Sequence, residues 1–172
     1  MIHRKLQLSY HKLFPTGTFR RHCGDFVAIC LSKLNLFNLD PDMPASRFDA
    51  SLETDFAPIS FGPADNPEVT IIIPVFNKFV FTYTCLKSIL TKTEDVRYEV
   101  IVLDNASTDK TIELKSIVKN ITVVRNEKNL GFVEASNLGA KNARGKYLLF
   151  LNNDTKVQDG WLKALVDTAK DE

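Results

Sequence analysis

Asp154 follows an apolar run, Tyr147 to Leu151, and two asparagines, Asn152 and Asn153. A carboxylate in a polar turn just past a buried strand stays ionised and reachable. Magnesium and manganese take carboxylate and phosphate oxygens together. The two amides add oxygens or hydrogen bonds, although Asn and Asp are also common turn residues. A second polar cluster, Asp104-Asn105-Ala106-Ser107-Thr108-Asp109, follows the apolar run Tyr98 to Leu103. An acid there can accept from a base N–H or a ribose hydroxyl, as acids at strand ends do in other nucleotide folds. A capping turn, with Asp109 at a helix start, is the alternative. The residues after the first apolar run narrow the ligand further. Val69 to Pro74 leads into Val75-Phe76-Asn77-Lys78, with no glycine. A dinucleotide site needs G-x-G-x-x-G at that point, and a Walker A loop is equally absent. Phosphates held at this edge must therefore be neutralised otherwise, most simply by a divalent cation with Asp154 as its ligand.

These residues need a scaffold that brings strand ends together. Val69 to Pro74 and Tyr98 to Asp104 are continuous β-branched and apolar runs, as in strands buried on both faces. Ile121 to Arg125 and Tyr147 to Leu151 read as two more strands. Phe79 to Leu90, Thr111 to Lys119, Phe132 to Ala143 and Trp161 to Ala169 read as helices, with Gly145 stopping the third. Strands alternating with helices predict an α/β domain with a mainly parallel sheet flanked by helices. In such sheets ligands bind at the carboxyl ends of the strands. That rule selects Pro74 to Asn77, Asp104 to Ser107 and Asn152 to Thr155.

The chain ahead of this pattern has a different character. Residues 1–24 carry Arg4, Lys5, Lys12, Arg20 and Arg21 and no acid, whereas residues 38–68 carry seven acids against Arg47 alone. Pro41, Pro44, Pro58, Pro63 and Pro67 break any periodicity in the second stretch, which reads as a linker. We place a domain boundary there: 1–67 an N-terminal extension and linker outside the domain, 68–172 the domain. Within the extension, residues 1–37 have room for one or two short amphipathic helices, with Phe26, Ile29, Cys30 and Phe37 roughly on one stripe that Lys33 interrupts. Packing on the domain is the favoured reading of residues 1–37, and peripheral contact with an anionic membrane surface the sharper one. The apolar run Phe26 to Leu31 falls far short of the roughly 20 residues that span a bilayer. A net charge of +1 gives no pull toward nucleic acid. Three cysteines, Cys23, Cys30 and Cys85, form no CxxC pair. They read as reduced thiols in a cytoplasmic protein.

Four segments in order, Val69-Thr-Ile-Ile-Ile-Pro-Val-Phe-Asn77, Val102-Leu-Asp-Asn-Ala-Ser-Thr-Asp109, Asn129-Leu-Gly-Phe-Val-Glu-Ala-Ser-Asn-Leu-Gly139 and Phe150-Leu-Asn-Asn-Asp-Thr155, resemble the ordered motifs of family 2 glycosyltransferases. The closest flavour is the rhamnosyltransferase-like branch. The resemblance covers about residues 69–172 and leaves the first 68 out. It implies the GT-A fold, a Rossmann-like sheet, and here its N-terminal, donor-binding half. It implies that Pro74, Val75, Phe76 and Asn77 line the base and ribose. Asp104 and Asn105 would contact the base or ribose, and the stretch with Asn129, Gly131 and Asn137 would approach the base and diphosphate. Asn153 and Asp154 would match the family's D-x-D-type element, with Asp154 on a manganese or magnesium ion. Asn153 stands where many members carry aspartate, so the site has one charge less.

The implied reaction transfers sugar from a nucleotide-diphosphate donor, UDP- or dTDP-linked, to a hydroxyl of a glycan or lipid-linked acceptor. Cell-surface polysaccharide synthesis at the inner face of the cell membrane is the setting it implies. Family members continue well past the metal motif into an acceptor surface and a catalytic base. Asp159, Asp167, Asp171 and Glu172 fit solvated helix ends better than that role. No residue is therefore assigned as base, and the 172 residues are expected to be catalytically incomplete. The alternative is a truncated, non-catalytic module that holds a nucleotide sugar or a partner protein.

Overall fold

The computed structural model describes residues 28–30 and 55–170. The strands are β1 (Ala28–Cys30), β2 (Ile59–Ser60), β3 (Val69–Val75), β4 (Tyr98–Asp104), β5 (Val118–Lys119), β6 (Thr122–Arg125) and β7 (Tyr147–Phe150). The helices are α1 (Phe79–Lys92), α2 (Leu114–Ile117), α3 (Gly131–Lys141) and α4 (Trp161–Lys170), with a 3₁₀ turn over Lys110–Glu113 leading into α2. Five strands form one sheet in the order β1-β7-β3-β4-β6, and every pairing in it is parallel. β2 and β5 form a second, two-stranded parallel ribbon. This is the α/β architecture that the strand–helix alternation predicts.

The β-branched runs of β3 and β4 are buried on both faces, and the pleat sends alternate residues into two cores. Ile71, Ile73, Val75, Val100 and Val102 meet Tyr83, Leu86 and Ile89 of α1 and Trp161, Leu162 and Val166 of α4. Ile72, Ile101 and Leu103 meet Ala135 and Ala140 of α3 on the other face. Each such Ile or Leu contributes about 1.5–3 kcal/mol by leaving water. α3 lies close because Gly139 has no side chain: a Cβ there would stand 2.5 Å from Ile72 Cγ2 and 2.8 Å from Leu103 Cδ2.

Strand order decides where a ligand can enter. From β3 the chain moves one way through β4 to β6, then returns across the sheet to place β7 on the other side of β3. β3 and β7 therefore stand side by side at the strand-order reversal, where sheets of this kind take ligands at the carboxyl ends of the strands.

Three expectations change. The stretch read as helical within residues 1–37 contains, in its described part, the edge strand β1, paired with β7 from Ala28↔Leu148 to Cys30↔Phe150. A short apolar run reads alike as strand or helix by periodicity, and only an available sheet edge arbitrates. The helix predicted to Lys119 ends at Ile117, since Val118 and Lys119 pair with Ile59 and Ser60. That pairing also ties part of the linker to the domain. Phe56 packs edge-on against Phe79 and Tyr83, with centroids 5.0 and 5.2 Å away, and Tyr83 Oη donates to the Ala57 carbonyl at 2.7 Å. Phe61 is buried in the core. Prolines and acids deny this stretch a helix, but they do not stop its aromatic side chains from burying area. Residues 1–27 and 31–54 of the proposed extension lie outside the described residues. No helix among the described residues is long and apolar enough to cross a membrane.

Candidate functional site

The three strand ends singled out by the sequence are neighbours. Val75 is in register with Asp104, Ile72 is in register with Phe150, and Leu151 N–H donates to the Ile72 carbonyl at 3.0 Å. Asn152 to Asp154 and Pro74 to Asn77 therefore flank the strand-order reversal, with Asp104 to Ser107 on the next strand. A cavity of about 390 Å³ beside Arg97, Tyr98 and Glu99 lies at the opposite, amino-terminal edge of β4. Its buried acid, Glu99, already accepts from Thr70 Oγ1 and from the Arg144 backbone and side chain. The cavity is thus removed from the polar strand ends.

The ends of β3 and β4 are knitted to each other. Asn77 and Lys78 take positive φ values of 58° and 59°, the left-handed conformation that Asn tolerates better than most residues. The Asn77 Oδ1 then accepts from Thr108 N–H at 2.7 Å and Asp109 N–H at 3.3 Å, while its own N–H donates to Ser107 Oγ at 2.7 Å. Asp104 is 2% exposed. One of its oxygens accepts from Ser107 N–H at 2.8 Å and the other takes the Arg125 guanidinium, which also donates to the Ser107 carbonyl at 2.8 Å. Asn105 is buried as well: its Oδ1 accepts from Asn126 Nδ2 at 2.7 Å and its Nδ2 donates to the Gly131 carbonyl at 3.4 Å. Asp104 and Asn105 thus spend their side chains on holding the loops.

Asp109 caps more than its own turn. It accepts from Thr111 N–H at 3.0 Å and, across the site, from Phe79 N–H at the start of α1 at 2.9 Å. Burial pushes its carboxyl up, but the bonds from Thr111 and Phe79 outweigh that and hold it below its ordinary range. Of the other sequence-selected residues, Val75 is buried, Pro74 is half-buried and Phe76 presents half its surface to solvent. Exposed Asn129 accepts from Gly131 N–H at 2.8 Å as α3 begins. Asn137 Oδ1 is a buried acceptor without a hydrogen-bond partner among the described residues, as is the neighbouring Ser136 Oγ.

The end of β7 is different. Asp154 is exposed, and no hydrogen bond or ion pair engages its carboxylate among the described residues. The turn that carries it is braced from beneath by α1. Thr82 Oγ1 accepts from Asn153 Nδ2 at 3.0 Å, Cys85 Sγ donates to the Asn152 carbonyl at 3.7 Å, and Ser88 Oγ accepts from Val157 N–H at 3.1 Å. The Cys85 thiol is pushed up to about 12, first by burial and then by the charge of Asp154, with a Thr155 backbone hydrogen bond pulling back. No cluster of three or more His, Cys, Asp or Glu side chains occurs among the described residues. The donor set is one free carboxylate beside two asparagines. That fits magnesium or manganese bound jointly with a ligand's phosphates, and does not fit an all-protein metal cage.

The profile of Glycosyl transferase family 2 matches residues 70–172. The chain belongs to that family. An uncharacterised glycosyltransferase of Rickettsia felis is 40% identical over 89 residues, 51% of this chain and 15% of its own. The glycosyltransferase AglE of Haloferax volcanii is 32% identical over 107 residues, 59% of this chain and 35% of its own. The chain therefore spans a minor part of the length of these relatives. Among solved structures, S. aureus TarS 1–349 superposes with a TM-score of 0.53 at 24% identity, over 60% of this chain and 32% of that one. That protein has also been crystallised with UDP-GlcNAc and with UDP. The likeness establishes the GT-A fold.

Sequence reasoning missed Arg125, Thr82, Cys85 and Ser88. Arg125 closes β6 in register with Asp104, a pairing that strand order alone creates. The three α1 residues left a faint signal, small polar or thiol side chains at i, i+3 and i+6 on one helical face.

Proposed function

We propose that this domain binds a nucleotide-diphosphate sugar together with a magnesium or manganese ion, for transfer of the sugar to a hydroxyl of a glycan or lipid-linked acceptor. One observation carries the reading: Asp154, at the strand-order reversal, has no partner for its carboxylate among the described residues, while Asp104, at the end of β4 beyond β3, is engaged by the protein. Such a cation stabilises charge developing on the departing diphosphate. Asp154 supplies the carboxylate, and Asn152 and Asn153 neutral oxygens. Phe76 offers a half-exposed ring at the end of β3 on which a base can stack. The start of α3, after Asn129, brings the positive end of a helix toward the same edge. The Asn-Asn-Asp turn supports the rhamnosyltransferase-like branch, and family membership supports a role in building cell-surface polysaccharide from the cytoplasmic side.

Calorimetric titration of the chain with UDP and with dTDP, each with manganese, with magnesium and with EDTA, tests the donor site. Binding that depends on the metal in wild type and is weakened in Asp154→Asn is the expected result. Equal affinity in both proteins under all three conditions would make Asp154 a turn residue and remove the metal from the reading.

A further inference from the structure

The amide of Asn153 has one atom of each kind, and only its oxygen can serve a cation. Which atom the site receives depends on what holds the other. Asn153 Nδ2 donates to Thr82 Oγ1 at 3.0 Å, and Thr82 is fully buried in the first turn of α1. The Thr82 hydroxyl also faces the Lys78 carbonyl, four residues back along the helix, at 3.5 Å, a contact longer than an ordinary O–H···O bond. With its proton turned to that carbonyl, the hydroxyl can only accept from Asn153, so the amide is held by its nitrogen. Asn153 Oδ1 takes no partner among the described residues and is not one of the buried orphan atoms.

We propose that Thr82 is a positioning residue for the cation–diphosphate site: by holding the Asn153 amide through its nitrogen, it leaves the amide oxygen as the ligand offered beside Asp154. The inference rests on the donor-site reading above and adds a mechanism by which an asparagine serves in this turn. Without Thr82 the amide is free to rotate, and half of its rotations offer an N–H to the cation. A carboxylate at position 153 would not need this device, because both of its ends are oxygen.

That asymmetry supplies the test. Manganese-dependent UDP affinity is measured by calorimetry, and manganese binding alone by electron paramagnetic resonance, for wild type, Thr82→Val, Thr82→Ser and Asp154→Asn. Thr82→Val should weaken both by about tenfold, the scale on which residues behind a metal ligand act, and leave UDP binding in EDTA unchanged. Thr82→Ser should restore wild-type values. In an Asn153→Asp background the Thr82→Val penalty should vanish. A penalty that persists there, or that appears equally in EDTA, would show Thr82 to be structural and overturn the inference. No penalty in Thr82→Val alongside a loss in Asp154→Asn would do the same while leaving the donor-site reading intact. If Asp154→Asn is also without effect, the donor-site reading itself falls. Thr82→Ala, which removes the hydroxyl without adding an apolar methyl, carries the same comparison should Thr82→Val fail to fold.

Discussion

The ends of β4 and β7 carry nearly the same chemistry. Each offers an aspartate next to an asparagine just past a buried strand, one strand apart on either side of β3. At β4 the pair is Asp104-Asn105, and both side chains are buried with their polar atoms bonded to Ser107, Arg125, Asn126 and Gly131. At β7 the pair is Asn153-Asp154, where the amide is held by one atom and the carboxylate by none among the described residues. The difference comes from the neighbours. β4 is flanked by β3 and β6, whose ends supply Asn77 and Arg125, so its loop is closed from both sides. The β7 turn, among the described residues, takes its bracing bonds from α1 beneath it. An acid becomes a ligand site where the fold leaves it unpaired, and a strut where the fold surrounds it.

The sharpest way to break that contrast is to remove each acid and measure stability. Asp104→Ala strands the Arg125 guanidinium and a buried Ser107 N–H, so chemical denaturation should register a loss of about 2–3 kcal/mol. A loss under about 0.5 kcal/mol, the range of ordinary surface changes, would show the strut to be dispensable. Asn77→Ala removes the side-chain oxygen that accepts from the Thr108 and Asp109 N–H groups and leaves a left-handed residue without its side-chain support. It should cost about 2 kcal/mol in the same assay.

Asp154→Asn should behave in the opposite way. Its stability should stay within about 0.5 kcal/mol of wild type. Its manganese-dependent UDP affinity should fall about tenfold, or ~1.4 kcal/mol. Destabilisation by Asp154→Asn comparable to Asp104→Ala would erase the distinction between the two strand ends.

Asp109 sharpens the comparison at a finer scale, because it is a strut that remains half-exposed. Asp109→Asn keeps one acceptor oxygen and should cost about 1 kcal/mol at neutral pH. The sequence showed only a helix start and not the bond to Phe79. Its folded-state carboxyl lies below its ordinary value of 3.8. The stabilisation is therefore fully present above that value and disappears as pH falls through the lower, folded-state one. Denaturation curves of wild type and Asp109→Asn should accordingly converge in strong acid. A constant gap down to the acid transition would mean that the charge contributes nothing.

Much of the scaffold could be read from the residues. β3, β4, β6 and β7 and helices α1, α3 and α4 stand within a few residues of their predicted positions, because long β-branched runs and helical periodicity are local properties. β1, β2 and β5 could not be read, since two or three residues become a strand only when an edge is there to receive them. The site was legible as a list of strand ends but not as a division of labour. Nothing in the spelling of Asp104-Asn105 distinguishes it from Asn153-Asp154, and Thr82 lies 71 residues from the side chain it holds.

The sequence by itself determined the alternation of strands and helices, the absence of a glycine-rich phosphate loop, and the three polar strand ends, because each is a matter of residue type and short spacing. Only the tertiary structure decided which strands lie side by side, and with that which acids meet a partner. Arg125 reaches Asp104 because β6 pairs with β4, whereas β7 crosses to the far side of β3 and carries Asp154 to the reversal, where its carboxylate meets no partner among the described residues. Pairing of buried charges is set by long-range register, and no local pattern in the chain encodes it.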